Sequence, residues 1–202
     1  MTKIKFCGLT RICDTEAVNE LKPEFIGFVF AEKSKRFITA DKASELKRRL
    51  SPCIKAVGVF VNERAENVAR LLAQNVIDIA QLHGDENDEY IKELRRLTDK
   101  PIIRAFRIKS EQDIAAAQKS AADFILLDSG AGGGERFDWS LIKNVKRPYF
   151  LAGGLTAENA GLAVEQLQPY AVDTSSGIET DGLKDKNKMS AFVAAVRKDR
   201  LI

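Results

Sequence analysis

The chain has 202 residues, with 32 Lys or Arg and 29 Asp or Glu, so its formal net charge is +3. This small excess is spread along the chain and does not form the basic stripe with interleaved aromatics that nucleic-acid binding requires. Hydrophobic residues make up 45% of the chain, enough for a core, which excludes extensive disorder. At this length we expect one domain covering residues 1–202.

Cysteine and histidine are scarce. The three cysteines, Cys7, Cys13 and Cys53, form no C-x-x-C spacing and cannot all pair, which predicts a reducing, cytoplasmic environment. We interpret Cys13 and Cys53 as structural. With His83 as the only histidine, the usual histidine-based zinc sites cannot form, so we predict no metal. Because no apolar run approaches about 20 residues and no signal peptide is recognisable, we predict no membrane partner.

Eight short apolar runs recur along the chain at the spacing of one strand–helix unit. Several are apolar almost throughout, as expected of strands buried on both faces. The predicted strands are Ile4–Cys7, Phe25–Phe30, Ala56–Val61, Ile77–Leu82, Ile102–Phe106, Phe124–Asp128, Tyr149–Gly153 and Ala171–Ser176.

Amphipathic stretches lie between these runs. Helical spacing is clearest over 63–75, 88–97, 157–167 and 186–198; Ile91, Leu94 and Leu97 share one face of the second. Eightfold alternation of strand and helix favours an α/β fold of the (β/α)8 TIM-barrel type over an open doubly wound sheet, although the period alone does not prove closure.

The active site of such a barrel lies at the carboxyl ends of its strands. Two strand ends are suited to phosphate: Gly153 and Gly154 follow the seventh strand, and the eighth runs into Ser175, Ser176 and Gly177. Glycine lets backbone N–H groups approach an anion, and these two loops are the recurrent phosphate site of the architecture. Ordinary turn chemistry explains either loop alone.

The ends of the first and sixth strands carry groups that could transfer protons. Cys7 is either a buried small hydrophobe or a thiolate acting as base or nucleophile. Asp128 follows four apolar residues, and burial there would raise its pKa and keep it protonated for use as a general acid. A helix cap is the other interpretation of Asp128, but the next helix is expected near Asp138, which could cap it.

Three more polar residues follow strand ends. Arg36 is either a solvated surface group or a fork that grips a planar carboxylate. His83 could hydrogen-bond substrate or neighbouring side chains, and Asp173 could contact substrate or hold the eighth loop.

The glycine-rich stretch 129–136 could close over a ligand. Because Glu135 stands where a third glycine is needed, it is not a dinucleotide-binding fingerprint.

Taken in order, the strand-end motifs resemble the phosphoribosylanthranilate isomerase family of tryptophan biosynthesis. The resemblance covers residues 3–197 and rests on these segments: KFCGLT, SKRFI, QLHGDE, LLDS, FDW, LAGGL, DTSSGIE and DGLKD. Seven or more such motifs in the right order are specific, although each alone is weak.

The resemblance implies a TIM barrel that catalyses an Amadori rearrangement of a phosphosugar, with no cofactor and no metal. It implies that Cys7 is the general base and Asp128 the general acid. Arg36 would hold the anthranilate carboxylate. Backbone groups around the two glycine-containing loops would hold the phosphate.

Two departures from the family pattern stand out: Phe6 replaces an aliphatic residue, and Gly134 and Glu135 replace a hydroxyl residue and a glycine in the sixth loop. The alternatives are a non-catalytic phosphosugar-binding barrel and a related phosphosugar isomerase. The aldose–ketose isomerase of histidine biosynthesis should carry an aspartate in place of Cys7, and a pentulose-phosphate epimerase needs metal-binding histidines. The sequence leaves the oligomeric state open.

Overall fold

Eight parallel strands close into a barrel in chain order, β1 pairing with both β2 and β8. The computed structural model describes residues 1–128, 139–142 and 145–197. The strands are β1 Lys3–Cys7, β2 Phe25–Val29, β3 Lys55–Phe60, β4 Ile79–Leu82, β5 Ile102–Arg107, β6 Phe124–Asp128, β7 Tyr149–Ala152 and β8 Ala171–Thr174. A two-stranded hairpin, β9 Glu179–Thr180 and β10 Leu183–Lys184, follows β8. The predicted barrel is confirmed, and all eight predicted strands are present.

Helices cover the outside of the barrel. They are α1 Ile12–Leu21, α2 Ala40–Arg49, α3 Ala65–Ala73, α4 Asp88–Arg95, α5 Glu111–Lys119, α6 Ala157–Leu167 and α7 Lys186–Val196, with short 3-10 turns at Trp139–Ile142 and Ser176–Ile178. The helices predicted over 63–75, 88–97, 157–167 and 186–198 are confirmed as α3, α4, α6 and α7, and the described part of the helix expected near Asp138 is the 3-10 turn Trp139–Ile142. The other three were not predicted, and α2 and α5 are marked locally by caps, since Thr39 and Ser110 each accept a hydrogen bond from the N–H three residues on.

Most predicted element ends differ from the structure by one or two residues, and two of these differences change where a side chain lies. Helix α4 ends at Arg95, so Leu97 lies beyond it and is half exposed instead of sharing the buried face of Ile91 and Leu94. Strand β4 begins at Ile79 because Ile77 packs in the turn before it. The Gly134–Glu135 departure and the Asp138 cap lie outside the described residues.

The inside of the barrel changes from apolar to polar along its axis. At the amino ends of the strands, Phe25, Phe124, Phe150 and Tyr170 pack ring against ring with centroids 5.1–6.4 Å apart. These rings fill the bottom of the barrel, as side-chain layers do in this architecture. Polar side chains therefore collect at the carboxyl ends, where the loops leave an opening. None of the helices in the described residues is long and apolar enough to span a membrane.

Candidate active site

A cavity of about 370 Å³ opens at the carboxyl ends of the strands. Nine of the ten predicted site residues line it: Cys7, Arg36, His83, Asp128, Gly153, Gly154, Asp173, Ser175 and Ser176. They come from six different strand ends, so only barrel closure brings them together. The cavity has the size of an ordinary small-molecule site.

Cys7 ends β1 with its thiol at the base of the cavity. Gly27 lies opposite it on β2, and a side chain there would collide with the Cys7 side chain. Burial raises the pKa of the Cys7 thiol, while the nearby ammonium groups of Lys5 and Lys184 favour the thiolate and oppose that rise. Cys13 and Cys53, interpreted as structural, are instead exposed.

A buried ion pair lies beside Cys7. The Lys5 ammonium contacts Asp173 Oδ2 at 2.8 Å, and the Lys5 side chain is fully buried. Asp173 lines the cavity, and its Oδ1 is buried with no hydrogen-bond partner among the described residues. This oxygen can therefore accept a hydrogen bond from a bound ligand. The sequence analysis did not identify Lys5 as a site residue. Its position inside an otherwise apolar strand was the feature that could have indicated it.

Asp128 ends β6, and its carboxyl group contacts polar side chains at the cavity. Its Oδ2 lies 3.4 Å from His83 Nε2, and about a fifth of its side chain is exposed. On the other side of the imidazole, His83 Nδ1 lies 2.9 Å from Gln81 Nε2. His83 thus orients the Asp128 carboxyl group and is itself oriented by Gln81, a residue that the sequence analysis did not assign.

Arg36 already holds a carboxylate of the protein. Its Nε and Nη2 lie 2.6 and 2.7 Å from the two oxygens of Glu179, a bidentate pair. The same carboxylate accepts a hydrogen bond from the buried Lys184 at 2.6 Å. Gly8 leaves room for this arrangement, because a side chain there would collide with Arg36 Cδ. Within the described residues the Nη1 edge of Arg36 remains open to a second carboxylate.

Glu179 makes the fold more stable at neutral than at acid pH. Burial opposes its charge, but the hydrogen bonds from Arg36 and Lys184 outweigh burial and lower the pKa of Glu179 below its ordinary value of 4.5. A carboxyl group with a lowered pKa contributes stability above its unfolded pKa, and that contribution is lost as the pH falls through the folded value.

We expect Glu179→Gln to lower the free energy of unfolding by about 2 kcal/mol at pH 6.5, because Lys184 and Arg36 lose their anion. The difference from wild type should shrink as the pH falls below 4.5. Urea titrations followed by circular dichroism at both pH values test this. The exposed Glu89→Gln is the control and should cost at most about 0.5 kcal/mol. A pH-independent difference would contradict the assignment.

The two predicted phosphate loops face each other across one side of the cavity. Gly153 and Gly154 have φ angles of +97° and +64°, the left-handed region that glycine adopts without strain. Among the described residues, the N–H groups of Gly153, Gly154 and Ser176 have no hydrogen-bond acceptor. Ser175 Oγ instead donates to the Cys7 carbonyl at 2.9 Å, which joins the eighth loop to β1.

Gly177 is the one predicted site residue that does not line the cavity. A side chain at this position would collide with the Leu155 carbonyl and the Thr174 hydroxyl. The absence of a side chain at Gly177 therefore lets the seventh and eighth loops approach each other. Its contact with phosphate stays a prediction.

Comparisons with known proteins agree on one family. A sequence model of the family described as N-(5′-phosphoribosyl)anthranilate isomerase matches residues 4–195. The N-(5′-phosphoribosyl)anthranilate isomerase of Caldanaerobacter subterraneus subsp. tengcongensis is 45% identical over 204 residues, which cover 98% of each chain.

Solved structures of the same enzyme superpose over nearly the whole chain. The phosphoribosyl anthranilate isomerase of Thermotoga maritima has a TM-score of 0.89 and 33% identity, covering 98% of this chain and 100% of that one. A second structure holds reduced 1-(o-carboxyphenylamino)-1-deoxyribulose 5-phosphate, with a TM-score of 0.87, 33% identity and the same coverage.

Proposed function

The chain belongs to the N-(5′-phosphoribosyl)anthranilate isomerase family and is an aldose–ketose isomerase of tryptophan biosynthesis, and we propose that Cys7 is its general base and Asp128 its general acid. The observation that carries this assignment is the placement of one thiol and one carboxyl group at the ends of β1 and β6, both lining a single cavity. An acid and a base that reach one ligand from different strands are what an intramolecular proton rearrangement needs.

The proposed reaction consists of proton transfers and the opening of the ribose ring. Asp128 gives a proton to the ribose ring oxygen, the bond from that oxygen to the anomeric carbon breaks, and the open-chain Schiff base forms. The Cys7 thiolate then removes the proton from the adjacent ribose carbon, which leaves an enolamine. Tautomerisation to the ketone gives 1-(2-carboxyphenylamino)-1-deoxyribulose 5-phosphate, an isomer of the substrate. Because no electron leaves the substrate, we propose no cofactor and no metal.

Three groups are proposed to hold the substrate while protons move. Asp173 Oδ1, buried and without a partner among the described residues, would accept a hydrogen bond from a ribose hydroxyl. The open Nη1 edge of Arg36 would bind the anthranilate carboxylate while Glu179 keeps the other edge in place. His83 would hold Asp128 toward the sugar.

The phosphate is proposed to bind across the seventh and eighth loops. The N–H groups of Gly153, Gly154 and Ser176 lack acceptors within the described chain and surround the same side of the cavity. Converging backbone N–H groups with small side chains form an anion site without a fixed cation. Because a reduced thiol is needed at Cys7, the cytoplasm is the proposed location.

The activity is tested by a fluorescence time course. Phosphoribosylanthranilate is formed from anthranilate and phosphoribosyl pyrophosphate by a phosphoribosyltransferase. EDTA is added to stop that reaction, and the purified protein is then added. We expect loss of fluorescence with the wild type and none above background with the Cys7→Ser/Asp128→Asn double variant. A double variant with wild-type turnover would reject the proposed pair of residues.

Arg36→Met should raise KM by about 10- to 100-fold with a smaller effect on kcat, since hydrogen bonds to a charged group contribute roughly 1.5–3 kcal/mol. Losing Arg36 also leaves the Glu179 carboxylate with Lys184 as its remaining cation, so it can repel the substrate's own carboxylate. Steady-state kinetics test this, with the exposed Lys35→Met as a control for the lost charge in the same loop. An unchanged KM in Arg36→Met would reject the carboxylate-binding role.

A further inference from the structure

Lys5 is a fully buried cation inside the barrel, below the cavity. Its ammonium lies 2.8 Å from Asp173 Oδ2 and interacts electrostatically with the Cys7 thiol. Lys5 and Cys7 are two residues apart on β1, so both side chains point to the same face, and Asp173 is the register partner of Lys5 on β8. The three groups therefore form one cluster on the inner face of two neighbouring strands.

Stability of the fold alone gives a weak reason for this cluster. Burying an ammonium and a carboxylate costs several kcal/mol per ion, and apolar residues of the same volume often stabilise a protein as well or better. The lower barrel shows that alternative, since aromatic rings fill it. The cation instead lies next to the one thiol that lines the cavity.

The charges around Cys7 are mixed in sign. The ionisable groups that act on it or face the same cavity are Lys5, Asp173, Lys184, Arg36, His83, Arg107 and Asp128. Lys184 and Arg36 are both paired with the Glu179 carboxylate. Lys5 differs in that its partner, Asp173, also acts directly on the Cys7 thiol.

We propose that Lys5 is a positioning residue for the base: its ammonium stabilises the Cys7 thiolate, and Asp173 holds the ammonium against the thiol. This inference rests on the proposed role of Cys7. Burial opposes the charge on Lys5, but the Asp173 carboxylate and Cys7 outweigh it and raise the pKa of Lys5 above its ordinary value. Lys5 therefore remains a cation at neutral pH and counters the effect of burial on the thiol.

The test measures the thiol directly. In a Cys13→Ser/Cys53→Ser background, Cys7 is the only thiol of the chain, and its alkylation by iodoacetamide is followed at pH 8. Lys5→Met should slow alkylation by at least about threefold. For each unit by which the thiol pKa rises, the thiolate population falls about tenfold, but the more basic thiolate reacts about threefold faster, so the net rate falls to about a third. Lys5→Met should also lower kcat and leave KM nearly unchanged.

Lys3→Met is the matched control. Lys3 lies on the same strand and points to the same face, but its ammonium contacts the Tyr170 hydroxyl at 2.7 Å at the other end of the barrel. Alkylation of Lys3→Met should match that of the parent. Equal alkylation rates in Lys5→Met and Lys3→Met would overturn the proposal.

A second variant decides the matter if Lys5→Met fails to fold. Asp173→Asn removes the negative charge but keeps an oxygen that can accept the Lys5 hydrogen bond. The ammonium then stays in place with the thiolate as its remaining anion, so alkylation should become faster than in the parent. A slower or unchanged rate in Asp173→Asn would overturn the proposal. Because alkylation requires no turnover, these rates are independent of whether Cys7 is the base, which the kinetics of Cys7→Ser decide separately.

Discussion

Cys7→Ser should lower kcat by about 10³-fold, within the 10²- to 10⁴-fold range that a positioned base contributes, and leave KM nearly unchanged. A serine hydroxyl fills almost the same space beside Gly27 as the thiol, so substrate binding should survive. The hydroxyl does not ionise near neutral pH, and Lys5 and Lys184 cannot make it a useful base. The loss should therefore fall on the chemical step.

The other two cysteines provide the control for this change. Cys13→Ser and Cys53→Ser alter the same atom at exposed positions and should leave both kinetic constants unchanged. Single-turnover measurements with excess enzyme separate chemistry from product release, and the single-turnover rate of Cys7→Ser should fall as far as its kcat. Wild-type single-turnover rates in Cys7→Ser would remove Cys7 from the mechanism.

The fold was predictable because its pattern is local. Each barrel strand is a mostly apolar run of four to six residues, and each predicted helix keeps an apolar stripe. Strand β6 was predicted with its observed bounds, Phe124–Asp128, because Asp123 and Asp128 mark its two ends. Besides the three helices that were not predicted, the misses include β9 and β10, which have two residues each, and Leu97, which continues a helical stripe past the end of its helix.

The predicted site residues could be found because barrel closure places strand ends together. The charged groups that surround them could not, because their partners are far apart in sequence. Lys5 meets Asp173 across 168 positions, and Arg36 meets Glu179 across 143. No spacing rule connects such pairs, and only the order of strands around the closed barrel makes β1 and β8 neighbours.

These long-range pairs give the two ends of the cavity different electrostatics. Around Cys7, Lys5 supplies positive charge within the barrel, which favours a thiolate. Around Asp128, the carboxyl group lies 3.4 Å from His83 Nε2, and the other nitrogen of that imidazole is hydrogen-bonded to Gln81. The proposed rearrangement needs a base that is helped to lose its proton and an acid that is held where it can give one up.

Asp128→Asn should lower kcat by about 10²- to 10⁴-fold while KM changes little, because the amide keeps the shape of the carboxyl group but cannot give up a proton to the ribose ring oxygen. The amide can still contact His83, so the cavity should keep its form. Steady-state kinetics in the fluorescence assay test this, with Asp123→Asn as the control. Asp123 is exposed, lies just before the other end of β6 and pairs with Arg95, so its variant should retain full activity.

The double variant gives the sharper comparison. If Cys7 and Asp128 act on one substrate in one sequence of proton transfers, Cys7→Ser/Asp128→Asn should be scarcely slower than the slower single variant, because removing either group already blocks the rearrangement. Strictly multiplicative losses would mean that the two residues act independently. Normal turnover in Asp128→Asn would require another proton donor at the mouth of the barrel, and His83, 3.4 Å from the Asp128 carboxyl group, would be the residue to change next.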